Sequence, residues 1–146
     1  MRNRCNAVIA CLAGVAAALL IVGAVSGTFI RHVVQIVPVA VALVAVRERP
    51  AWGSHAALPI FAWWLFMMVL VWLYLAGVPM FFDGDFTLTE IVLTVLVSLF
   101  CVLGLLACMR LKSTSSIANR LLAVAVFGAF QFAMMWASFL RPFVNR

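Results

Sequence analysis

Residues 5–46 form an almost unbroken apolar stretch, interrupted by little more than Arg31, His32 and Gln35. One straight helix of about 40 residues would extend about 60 Å at 1.5 Å per residue, twice the thickness of a bilayer core. The stretch must therefore break, and Ser26-Gly27-Thr28 is where it can. Gly27 can close one helix in a left-handed conformation, and Thr28 can cap the next. The pattern predicts two consecutive spans, 6–26 and 29–46.

The remaining chain repeats this design. Arg47-Glu48-Arg49-Pro50 stops the second span, because proline cannot extend a helix. A loop holding Trp52, Gly53, Ser54 and His55 is expected before a third span at 57–77, which Gly77-Val78-Pro79 ends. Asp83-Gly84-Asp85 is a turn signal. Thr87-Leu88-Thr89-Glu90 then fits a capping box, with Phe86 and Ile91 placed for a hydrophobic staple. It opens a fourth span at 88–109, and a fifth follows at 117–140. The chain is 68% hydrophobic and only 10% charged, whereas soluble domains are closer to half apolar. The expected fold is an all-α polytopic bundle, one integral membrane domain over 1–146 with lipid as its first partner.

A net charge of +6 does not point to nucleic acid, because the basic residues sit at the ends of apolar runs. There they set orientation. Five spans with a cytoplasmic N-terminus place Arg2, Arg4, Arg47, Arg49, Arg110, Lys112 and Arg120 inside and Arg31, Arg141 and Arg146 outside, seven against three. A four-span alternative, with 28–46 re-entrant, divides them six to four and is less favoured. The first apolar run is long for a signal sequence, so it is read as a retained span. Trp52, Trp63 and Trp64 are expected near one interface, and Trp72, Tyr74 and Trp136 near the other.

Few polar residues fall within the spans. Arg31-His32-x-x-Gln35-x-x-Pro38 opens the second, and i, i+4 spacing puts Arg31 and Gln35 on one face. Pro38 is expected to kink the helix near Val34. The favoured reading makes Arg31 and His32 interfacial anchors and gives Gln35 one interhelical hydrogen bond. The functional reading makes the three the wall of a polar pocket. Asp83, Asp85 and Glu90 form an acidic loop at the same end of the bundle, explained first as turn and capping residues and second as partners for His32. Gln35 and Gln131 lie at matching depths and are expected to hydrogen-bond, joining helices 2 and 5.

Close packing is expected at Gly23-x-x-x-Gly27 in helix 1, and at Gly104 and Cys108 in helix 4. Helix 3 carries bulky side chains all round, which suits a face toward lipid or a partner. The four cysteines have neither C-x-x-C nor zinc spacing and read as small hydrophobes. No metal or other cofactor is expected, and no catalytic motif occurs.

The Arg31-to-Pro38 motif, the Trp63-Trp64 helix and Phe86-x-x-x-Glu90 together resemble a group of small bacterial multi-pass membrane proteins without assigned activity. The resemblance covers about residues 27–105 and implies an inner-membrane location and no mechanism. A single lysine among ten basic residues, in an Ala- and Val-rich chain, also hints at a GC-rich bacterial source. The leading expectation is a non-enzymatic accessory, assembly or structural subunit, with a membrane-protein partner or a second copy of itself. The alternative is a small transporter or channel component using the Arg31/His32/Gln35 pocket. A lipid-acting enzyme pairing His32 with an acid ranks third.

Overall fold

A computed structural model describes residues 2–78, 86–111 and 115–140, with side chains from Cys5 onward. The described residues form five helices: α1 (Arg2–Val25), α2 (Phe29–Glu48), α3 (Pro50–Leu75), α4 (Leu88–Met109) and α5 (Ile117–Ser138). All five are long and apolar enough to cross a membrane. The re-entrant alternative for 28–46 fails, because α2 is a continuous helix of 20 residues, about 30 Å long. It runs through Pro38 without ending.

The helix ends follow local chemistry. Gly27 has φ +69° and breaks the chain between α1 and α2, as its lack of a side chain allows. Gly77, at φ +91°, closes α3 in a Schellman motif: Val78 N–H donates to the Leu73 carbonyl and Gly77 N–H to that of Tyr74. The α4 capping box is complete, with Thr87 Oγ1 accepting from Glu90 N–H and Thr87 N–H donating to Glu90 Oε2. Phe86, just before it, packs on Tyr74 with ring centroids 5.6 Å apart.

The main departure from expectation is α3. Trp52, Gly53, Ser54 and His55 are helical, and Arg49 alone separates α2 from α3. Pro50 occupies the first turn of α3, where its missing N–H costs nothing and its fixed φ suits the helix. Gly53 then lies directly against the Ala45–Val46 backbone of α2, so the two helices turn back on each other without a loop. The ends of α1 and α5 shift less: α1 begins at Arg2 and α5 stops at Ser138.

α1, α2, α3 and α4 pack in a ring, with α1 against both α2 and α4, and α3 against both α2 and α4. α5 lies outside this ring, on the seam between α2 and α3. α3 therefore touches every other helix, while one of its faces stays exposed, as expected for a face toward lipid or a partner. Its bulky residues divide by face: Phe61, Trp64 and Met68 are buried, whereas Phe66, Val69 and Trp72 are exposed. Trp63 and Trp64 lie about 20 Å along α3, deep in the bundle and not at an interface. In lipid, helices associate through close packing more than through the hydrophobic effect. Gly104 of α4 supplies such a contact by receiving the ring of Phe61, and Cys108 is buried one turn further along. All four cysteines are free and buried on α1 and α4.

Candidate functional site

α1, α3 and α5 finish at the end of the bundle where α2 and α4 begin. A cavity of about 330 Å³ opens there, with side chains from all five helices in its wall. Arg31, His32, Gln35 and Glu90 line it together with Thr94. Trp64, Met68, Val71 and Met135 supply apolar lining. Gln35 lies about 9 Å along α2 from Phe29, so the cavity reaches well inside the span.

Hydrogen bonds orient these groups. Ser26 Oγ donates to the Val22 carbonyl at 2.8 Å and lies 2.6 Å from Thr28 Oγ1. A hydroxyl has one proton, so Thr28 donates to Ser26. His32 Nδ1 is 3.1 Å from both Thr28 Oγ1 and the Thr28 carbonyl. A carbonyl only accepts, so Nδ1 carries the proton. In the neutral ring Nε2 then holds a lone pair, with no hydrogen-bond partner among the described residues. The other edge of the ring is packed against α1 at Gly23, where an added Cβ would come within 2.8 Å of His32 Cβ. Gly23 is thus a point of close approach between α1 and α2. Gly27 forms the turn and has no neighbour within 4 Å where a Cβ would stand. Thr28 precedes α2 but makes no side-chain cap bond, its hydroxyl being engaged by Ser26 and His32.

Gln35 is 3% exposed, and its Nε2 donates to Ser138 Oγ on α5 at 2.9 Å. Ser138 in turn donates to the Met135 carbonyl at 2.7 Å, so it can only accept from Gln35. This fixes the amide orientation and leaves Gln35 Oε1 without a hydrogen bond. The α2–α5 contact is present, but its hydrogen bond runs to Ser138 and not to Gln131. Gln131 lies two turns away on the same buried face of α5, and both its amide atoms are buried without a partner. With a short bis-thiol cross-linker in membranes, cysteines placed at 35 and 138 should therefore couple more readily than cysteines at 35 and 131. The reverse pattern, read by gel mobility, would place α5 wrongly.

Arg31 and Glu90 face one cavity from different helices. The Arg31 guanidinium lies over the Phe139 ring, 3.9 Å from its centroid, a cation–π contact. Its Nε is buried without a hydrogen-bond partner. Glu90 Oε2 accepts from Thr87 N–H and Thr87 Oγ1, both at 2.8 Å. The two charges share a wall without pairing.

No known protein family, curated protein or solved structure matches this chain. The site is therefore read from its own chemistry. The expected pocket residues Arg31, His32 and Gln35 come together, and Glu90 joins them. Gln131 lies outside the lining. Asp83 and Asp85 lie outside the described residues. Trp64 and Ser138 are additions that the sequence reading misses. Ser138 carries a legible signal, since 131, 135 and 138 recur on one helix face.

Proposed function

We propose that this chain is a non-enzymatic, multi-pass membrane protein that binds a small polar solute at one end of its bundle, as a small transporter or channel component. The observation that supports this reading is the convergence of a guanidinium, an imidazole, an amide and a carboxylate from two helices on one 330 Å³ cavity. Polar groups within a membrane are costly and mark ligand or ion pathways. The volume falls at the lower end of the roughly 300–1,000 Å³ typical of ligand pockets, which favours a small solute. The basic residues near the opposite end, Arg47, Arg49, Arg110 and Arg120, support a cytoplasmic N-terminus, with the cavity opening on the far face. The resemblance to small bacterial membrane proteins supports an inner-membrane location.

The test is a thermal-stability screen of the detergent-purified chain against amino acids, amines, carboxylates and sugars. A solute at about 100 times its Kd should stabilise the native state by about 2.7 kcal/mol. Gln35→Leu should abolish that gain. If every solute stabilises the wild type and Gln35→Leu equally, or stabilises neither, the binding reading is wrong.

A second reading, an accessory or assembly subunit, draws on α5. This helix packs outside the ring and leaves Trp136 67% exposed. Native mass of the complex extracted in mild detergent decides it: a lone monomer removes the accessory role, and a co-purifying membrane protein or second copy supports it.

A further inference from the structure

We infer that the cavity takes a zwitterion, with a primary ammonium held by Glu90, Gln35 and His32 and an anionic oxygen group held by Arg31. This ligand class rests on the cavity being a binding site, as proposed above.

The donors and acceptors left over in the wall carry it. Ser26 and Thr94 in the wall, and Ser138 behind Gln35, all donate their hydroxyl protons to backbone carbonyls three or four residues earlier. Thr28 donates to Ser26, His32 Nδ1–H to Thr28, and an amide N–H of Gln35 to Ser138. What these lining residues leave without a partner is mainly acceptors, on the Glu90 carboxylate, Gln35 Oε1, His32 Nε2 and the Thr94 hydroxyl, beside two neutral donors, the second Gln35 N–H and the buried Trp64 Nε1–H. A primary ammonium brings those acceptors three N–H donors and a positive charge to set against the Glu90 carboxylate. A quaternary ammonium has the charge but no N–H, and a sugar has donors but no charge.

Arg31 makes the opposite demand. A guanidinium has five N–H donors and no acceptor, and the buried Nε of Arg31 bonds to nothing. A purely cationic ligand would leave it uncompensated, and a purely anionic one would leave Glu90 so. A ligand bearing both signs meets both. At about 330 Å³ the cavity has room for a headgroup-sized molecule. Free aminoalkyl phosphates, amino acids and the ethanolamine headgroup of a phospholipid share this chemistry.

The test titrates the purified full chain with O-phosphoethanolamine and with phosphocholine, its N-trimethyl analogue, by calorimetry. Phosphoethanolamine should bind at least about tenfold more tightly, since the lost bonds are to charged groups. Glu90→Gln should remove about tenfold or more while the helix content stays unchanged, because glutamine at this position closes the same capping box. Arg31→Gln should weaken phosphoethanolamine and leave plain ethanolamine unaffected. In parallel, native mass spectrometry of protein released from nanodiscs of mixed phosphatidylethanolamine and phosphatidylcholine reads the lipid source. Selectivity for ethanolamine there, without binding of the free compound, assigns the site to a lipid headgroup and upholds the inference. Equal retention of both headgroups in both arms, or indifference to Glu90→Gln, overturns the zwitterion. The binding-site reading then still stands if another solute responds to Gln35→Leu, and both fall if none does.

Discussion

Gly53→Ala should destabilise the protein by about 3 kcal/mol, the upper end of the range for overpacking a well-packed interior. The reason is what the new methyl would meet. A Cβ at Gly53 would run into the backbone of Ala45 and Val46 in α2, and backbone cannot step aside as a flexible side chain can. Relief requires α3 to move away from α2, and the single residue Arg49 between the helices leaves little slack for that. The control is Gly128→Ala on α5, where the nearest atom, Pro59 Cβ, is 3.6 Å away in ordinary van der Waals contact. That change should be neutral or slightly stabilising, since alanine favours a helix by nearly 1 kcal/mol over glycine. Thermal unfolding of both proteins in one mild detergent measures the difference. A Gly53→Ala protein as stable as Gly128→Ala would mean that α2 and α3 do not meet where the hairpin places them.

The same residue shows what a sequence reveals and what it conceals. Near Gly53, the composition Pro-Ala-Trp-Gly-Ser-His suggests a loop, because glycine and proline are helix breakers in isolation. Position reverses the meaning of both. Pro50 stands in the first turn, where proline is favoured, and Gly53 stands where a second backbone needs the space. Neither fact is local, so hydropathy could not supply it. By contrast, the α4 start at Leu88 was legible to the residue, because a capping box is a local device written in four consecutive residues.

The site divides along the same line. Arg31, His32 and Gln35 stand out because polar residues inside an apolar run are few, and helical spacing puts them together. Glu90 reads first as a cap, and it is one, yet its place at the start of α4 also brings it to the cavity. One residue serving two ends cannot be read from spacing alone. Matching Gln35 to Gln131 by depth chose the right helix and the wrong residue. Depth fixes level in the membrane and not rotation about the helix axis or tilt. Ser138 wins because α5 ends there and its hydroxyl can accept while donating to Met135.

That mismatch leads to the second large effect. Replacing Gln131 by methionine should stabilise the protein, by roughly 1–3 kcal/mol, the cost of leaving a buried polar group without partners. Gln131 is 0% exposed, and neither its Nε2 nor its Oε1 has a hydrogen bond. In a bilayer core there is no solvent to supply one. Methionine has a similar length and adapts to irregular surroundings, so little packing is lost. Solute binding should not change, since Gln131 is not part of the cavity wall. A lower unfolding temperature for Gln131→Met would reverse this assignment. It would mean that the amide is hydrogen-bonded to internal water, with Met135, about 6 Å further along α5, separating that water from the cavity. The polar region would then extend past its apolar floor toward the middle of the membrane, and Gln131 would be a step on a pathway where the structure now places an uncompensated amide.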